Sequence, residues 1–82
     1  MATFNKTLLT ADSLMAAAFD RPREPRSAAY KAGVRAKLSH VFDNVTTAMP
    51  YAPGTAEADA FFAGEEEGRV IFARTWEQAQ IA

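Results

Sequence analysis

Residues 27–45 read SAAYKAGVRAKLSHVFDNV, and this stretch decides the fold. Its large apolar residues recur at intervals of three and four, which is the period of an amphipathic α-helix. They are Tyr30, Val34, Leu38, Val41, Phe42 and Val45. The opposite side carries only the small residues Ala29, Ala32, Gly33 and Ala36. That side is either a solvated alanine face or a place where a second helix backbone approaches closely. Gly33 favours close packing, because glycine costs about 1 kcal/mol relative to alanine inside a helix.

A further helix is predicted after the loop at residues 46–54, which contains two prolines and a glycine. Thr55 suits the N-cap position, and two acidic residues follow in the first turn, where the helix dipole favours them. The apolar stripe expected on this helix consists of Ala58, Phe61, Phe62, Phe72, Trp76 and Ala79. Residues 69–74 alone also suit a strand. Because Phe72 and Trp76 continue the stripe, we predict one helix over residues 55–79.

Two glycines, Gly64 and Gly68, lie at the margin of that stripe, four residues apart. Such a pair inside a helix predicts either a close crossing with the preceding helix or a kink. With Gly33, these are the residues expected to let the two helices pack closely.

A short helix is predicted at the N-terminal side of this pair. Thr10 is its expected N-cap, and the prolines at positions 22 and 25 end the helix after residue 19. Residues 1–9 suit either an extended arm or a short strand. The sequence therefore predicts an all-α fold in one small domain of residues 1–82. Its helical hairpin spans about 27–45 and 55–79, and a short N-terminal helix precedes it.

The composition excludes several classes of protein. The chain has 82 residues, of which 49% are hydrophobic and 23% charged, as in an ordinary globular domain with one core. The absence of cysteine excludes disulfides and thiolate metal sites. The apolar runs are too short to span a bilayer, and no export signal is evident, so we expect a cytoplasmic location and no membrane partner.

Catalytic and metal-binding patterns are nearly absent. His40 is the only histidine and is expected on the solvated side of its helix. The consecutive carboxylates of residues 65–67 point around a helix instead of converging on one site. No glycine-rich phosphate loop is present. We therefore expect a protein that is not an enzyme and that needs no cofactor and no metal.

The net charge of −1 conceals two segments of opposite sign. Residues 21–42 carry a net charge of +5, and residues 43–67 carry −6. The two segments either neutralise each other at a helix boundary or form surfaces for charged partners. The candidate basic surface consists of Arg21, Arg23, Arg26, Lys31 and Arg35. The candidate acidic surface consists of Glu57, Asp59, Glu65, Glu66 and Glu67.

Three short motifs carry a family resemblance. They are the tetrapeptide ending at Gly33 (YKAG), the Pro50-Tyr51 pair in the loop, and the tetrapeptide ending at Gly64 (FFAG) with Gly68 beyond it. Over about residues 28–68, the chain resembles the ribosome modulation factor family of small bacterial proteins. The resemblance implies a helical hairpin with close glycine packing, and a role in ribosome binding. The chain departs from the family in its longer loop, its extra N-terminal residues and its loss of strong basic character, on which binding to ribosomal RNA relies.

Three hypotheses about function follow. The first is a small bacterial or phage-type accessory protein that docks on a host protein or protein–nucleic-acid complex, with its acidic residues addressing a basic groove; an anti-CRISPR inhibitor belongs to this class. The second is a modulator that binds RNA or the ribosome through the basic segment 21–37, with Tyr30 and Tyr51 available for stacking on bases. The third is a self-associating structural module, such as a homodimer, in which the glycines meet between chains.

Overall fold

The computed structural model describes residues 10–81, with the side chains of residues 10–78. Within this range the chain forms three α-helices and no strand: α1 is Ala11–Phe19, α2 is Ala28–Asp43 and α3 is Ala56–Ile81. The all-α fold class is therefore confirmed, and residues 69–74 are helical as predicted. The arm or strand considered for residues 1–9, and the side chain of Ala79, lie outside the described part of the chain.

Local hydrogen bonds determine where each helix begins. The Thr10 backbone N–H donates to the Ser13 hydroxyl at 2.9 Å, and the Ser13 N–H donates to the Thr10 hydroxyl at 3.0 Å, a reciprocal capping box. At α2, the Tyr30 N–H donates to the Ser27 hydroxyl at 3.1 Å. At α3, the Ala58 N–H donates to the Thr55 hydroxyl at 3.1 Å. All three N-caps are threonine or serine, residues whose short side chains satisfy the free N–H groups of a first turn.

The end of α2 differs from the prediction. The helix ends at Asp43, because Asn44 adopts a left-handed conformation with φ of 56°. Asparagine tolerates this conformation better than most residues. Val45 therefore lies outside the helix and is 50% exposed, so its predicted place in the apolar stripe was wrong.

The backbones of α2 and α3 touch where their glycines lie. A Cβ atom added at Gly33 would lie 2.0 Å from the Phe61 carbonyl oxygen. One added at Gly64 would lie 2.0 Å from the Tyr30 carbonyl oxygen. At Gly68 the nearest atom, the Cβ of Lys37, would be 2.7 Å away. Only glycine leaves room for such an approach, and α3 continues through both of its glycines as one helix.

The two paired helices run in the same direction. Gly64 lies against Tyr30 and Gly68 against Lys37. Farther along, the Phe72 ring centroid is 5.5 Å from that of Phe42. The contacts thus advance along both helices together. The two helices predicted to form the hairpin do pair, but in parallel and not in the antiparallel arrangement of an ordinary helical hairpin. The loop of residues 44–55 returns along the pair, which brings the ring of Tyr51 to within 6.1 Å of the Phe61 ring centroid.

The core lies where α1 and α3 cover α2 from two sides. Val34, Leu38 and Phe61 are fully buried. Ala11 joins the first two in one cluster, around which partly buried hydrophobic residues pack. These residues are Leu14, Met15, Phe19, Tyr30, Phe42, Ile71 and Phe72.

Two aromatic residues assigned to the core are on the surface. Phe62 is 58% exposed and Trp76 is 59% exposed, so their predicted burial was wrong. Adjacent residues on a helix are separated by about 100°, and Phe61 takes the position that faces α2. Trp76 lies beyond the level of Phe72, near which α2 ends. It stacks on the Phe72 ring, with 6.5 Å between ring centroids.

Candidate functional site

A polar cluster joins residues from both charged segments. The Arg23 guanidinium donates two hydrogen bonds to the Glu67 carboxylate, at 3.0 and 3.1 Å. The Tyr30 hydroxyl donates to the same carboxylate at 2.5 Å. Arg23 also donates to the carbonyl oxygen of Ala18 at 3.0 Å, at the end of α1. One carboxylate on α3 therefore holds the loop after α1 and the first turn of α2.

The pKa directions in this cluster follow from its contacts. The hydrogen bonds from Arg23 lower the pKa of Glu67, and that of Tyr30 adds to the effect against the opposing influence of burial. Burial raises the pKa of Tyr30, as does its bond to the Glu67 carboxylate. The Arg23 and Glu67 side chains are only 19% and 20% exposed. Both are satisfied within the chain, so neither offers a free charge to a partner.

The remaining basic candidates are exposed but differ in their surroundings. The Arg26 guanidinium lies 4.7 Å from the Tyr30 ring centroid, and the Lys31 ammonium lies 5.6 Å from that of Phe19. Arg35 forms an ion pair with Asp12 of α1. Arg21 donates from its Nε to the carbonyl oxygen of Ala18 at 3.3 Å. The basic residues thus extend from the loop after α1 along the flank of α2 that adjoins α1, as far as the first turn of α1.

The remaining acidic candidates lie along α3. Glu57 and Asp59 are exposed in its first turn. Glu65 is half-buried and borders a polar groove of about 250 Å³ that Lys37 and His40 also line. Glu66 is exposed and accepts a hydrogen bond from the Nε of Arg69 at 2.9 Å, and Arg69 lowers the pKa of Glu66.

The outer face of α3 combines carboxylates with an unburied aromatic ring. Phe62 lies three residues after Asp59 and four before Glu66, a spacing that puts all three on one side of a helix. All three side chains are exposed. We call these residues the acidic–aromatic surface. This surface was not predicted, because the apolar period of α3 assigns Phe62 to the core. The pair Phe61-Phe62 is the signal that could have shown it, since adjacent residues of a helix do not face the same way.

A second groove, between α1 and α3, has a volume of about 330 Å³. Its lining is apolar on both helices, with Leu14 and Ala17 on one side and Val70 and Ile71 on the other. Arginine side chains contribute positive charge at this groove; they are Arg21, Arg23 and Arg74. Since Glu67 already pairs with Arg23, the charge open to solvent is that of the other two.

Neither groove gathers the ligands of a metal site. Within residues 10–78, no group of three or more histidine or acidic side chains converges. No described helix combines the length and apolarity needed to cross a bilayer. Comparisons with protein-family models, with curated proteins and with solved structures find no match.

Proposed function

We propose that the protein is a small non-enzymatic accessory protein, of bacterial or phage type, that binds and modulates a host macromolecular complex in the cytoplasm. The observation that carries this proposal is the exposure of Phe62, 58%, between two exposed carboxylates on α3. Large aromatic side chains are the residues that most often dominate the binding energy of protein interfaces.

The chemistry of the surface suggests the kind of partner. Phe62 requires an apolar pocket, and Asp59 and Glu66 favour basic side chains at the rim of that pocket. Nucleic-acid-binding grooves are basic, so a protein that occupies such a groove would compete with phosphate. An inhibitor of a nucleic-acid-binding defence complex, of the anti-CRISPR type, is one example of this class.

The acidic–aromatic surface can be tested with two variants of the tagged chain. We expect Phe62→Ala combined with Asp59→Lys to lose the partner that the unchanged protein retains from a lysate of its native host. The control is Arg21→Ala, an exposed residue on another side of the molecule. The retained partner, once purified, should bind less tightly to the double variant by at least about tenfold, as expected for removal of an aromatic anchor. Equal binding by both proteins would contradict the surface assignment.

Competition gives the second part of this test. If the partner uses a nucleic-acid-binding groove, double-stranded DNA should displace the protein from it, and added salt should weaken the complex. If DNA displaced the double variant from the partner as readily as it displaces the unchanged protein, the acidic–aromatic surface would take no part in binding that groove.

Binding to RNA or the ribosome is the second candidate function. It is favoured by the exposed Arg26 guanidinium, which lies over the half-buried Tyr30 ring, and by the resemblance to the ribosome modulation factor family. Arg23 and Arg35 are less available for this role, because each already has an acidic partner in the chain.

The second candidate predicts that the protein sediments with purified ribosomes and that its affinity for them falls steeply with salt. The variant Arg26→Ala with Lys31→Ala should then bind less tightly, whereas Phe62→Ala should bind as the unchanged protein does. Binding that does not respond to salt would reject this candidate.

A further inference from the structure

Among the described residues, α2 does not extend alongside the last turns of α3. Phe72 lies against Phe42, and α2 ends one residue later at Asp43. Helix α3 continues to Ile81, nine residues beyond Phe72. A helical segment of this length is marginal in water without tertiary contacts. Trp76, 59% exposed, lies in this segment.

Two residues of opposite charge lie symmetrically about Ala73, the first residue of this segment. Arg69, Ala73 and Glu77 are four residues apart, so they share one side of α3, and all three are exposed. A cation and an anion thus lie at equal distances on either side of a small residue. Among the described side chains, Glu77 has no ion-pair partner, and Arg69 pairs only with Glu66.

We propose that this side of α3 binds the same side of a second copy of the chain, in an antiparallel pair with its two-fold axis at Ala73. In such a pair, Arg69 of each copy faces Glu77 of the other, so both contacts join opposite charges. A two-fold interface requires one surface to be complementary to itself, and this spacing meets that requirement. Ala73, at the centre, lets the helices approach closely.

Trp76 adds apolar contact to this pairing. It follows Ala73 by three residues and therefore lies on the adjoining part of the same side of α3. Its ring stacks on that of Phe72, which is partly buried against Phe42, and so extends this aromatic contact to the surface. A contact over three turns of two helices is smaller than a standard protein interface, so we expect a weak, concentration-dependent dimer.

This dimer differs from self-association through the glycines. Gly33 and Gly64 already contact α3 and α2 of their own chain, so they are not available to a second copy. The dimer also leaves Phe62 outside the paired region, because that residue lies eleven positions before Ala73. The dimer therefore does not depend on the proposed function, and Phe62→Ala should leave the dimer dissociation constant unchanged.

A charge exchange tests the proposal. We expect sedimentation equilibrium of the unchanged protein to show a monomer–dimer equilibrium. Glu77→Arg should raise the dimer dissociation constant at least about tenfold, because it creates two facing like-charge pairs. The double variant Arg69→Glu with Glu77→Arg should restore the constant to within about threefold, since it exchanges the signs of both contacts. All these positions are exposed, so circular dichroism should show an unchanged helix content.

The control is Arg74→Glu, which changes the charge on the side of α3 that faces the groove with α1. It should leave the dissociation constant unchanged. A monomeric mass for the unchanged protein at concentrations up to about 1 mM would overturn the proposal. Failure of the double variant to recover the dimer that Glu77→Arg loses would also overturn it.

Discussion

Replacing Gly64 with alanine should destabilise the fold, although alanine is the better helix former. The added Cβ would lie 2.0 Å from the Tyr30 carbonyl oxygen and 2.9 Å from the Val34 nitrogen. Both are backbone atoms, so the contact can be relieved only by moving α2 and α3 apart. Overpacking costs typically about 1–3 kcal/mol and occasionally more, and a contact between two backbones lies at the upper end of that range. The gain in helix propensity recovers about 1 kcal/mol. We expect a net loss of about 2 kcal/mol or more in the free energy of unfolding.

Urea unfolding followed by circular dichroism would measure this loss. Gly33→Ala should behave similarly, because its Cβ would meet the Phe61 carbonyl oxygen at 2.0 Å. The control is Ala63→Leu, which adds a larger group at the neighbouring exposed position and should change stability little. If Gly64→Ala were instead more stable than the unchanged protein, the close contact between the two backbones would be refuted.

The helix boundaries could be read from the sequence because they depend on neighbouring residues. Thr10, Ser27 and Thr55 each accept a hydrogen bond from an N–H three residues later, and a cap of this kind involves no distant contact. The same holds for Pro22 and Pro25 after α1. The C-terminus of α2 was placed two residues too far, because Val45 continues the apolar pattern past the left-handed Asn44.

The packing of the helices against one another could be predicted only in part from the sequence. Apolar periodicity assigns a face to each helix but does not give the direction in which two helices pair. A loop of residues 44–55 is long enough to return along α2, which makes the parallel arrangement feasible. Phe62 and Trp76 fit the period of the buried stripe but lie beside it or beyond the end of α2. Only the positions of the neighbouring helices show which residues of an apolar stripe are buried and which are exposed.

The candidate surfaces were predicted from charge alone, and charge does not identify which side chains pair. Arg23 and Glu67 are 44 residues apart in the chain and belong to opposite candidate surfaces. The structure places them in one cluster, where each neutralises the other. Nothing in the order of residues marks Glu67 as different from Glu65 or Glu66. The difference arises because Glu67 points toward the loop after α1.

Replacing Glu67 with glutamine should destabilise the protein more than the same change at Glu66. Glu67 accepts hydrogen bonds from both Arg23 and Tyr30, and its loss leaves a largely covered guanidinium without a counter-ion. Breaking such a paired, partly buried contact costs about 1–3 kcal/mol. Glu66 pairs only with exposed Arg69, and exposed pairs contribute little. Urea unfolding at neutral pH should therefore separate the two variants, and equal losses would contradict a structural role for Glu67.

The stability that Glu67 and Tyr30 contribute should depend on pH. The pKa of Glu67 lies below its ordinary value of 4.5 in the folded protein, so its contribution is present above pH 4.5 and is lost as the pH falls through the folded pKa. The pKa of Tyr30 lies above its ordinary value of 10.0, so its contribution is present below pH 10 and is lost as the pH rises. The difference in unfolding free energy between the unchanged protein and Glu67→Gln should thus be largest near neutral pH and shrink below pH 4.5. A difference that stays constant down to pH 3 would show that the Glu67 charge does not stabilise the fold, because a carboxylate with the ordinary pKa of 4.5 is already protonated in the unfolded chain at that pH, and the contribution of the charge must therefore have begun to shrink.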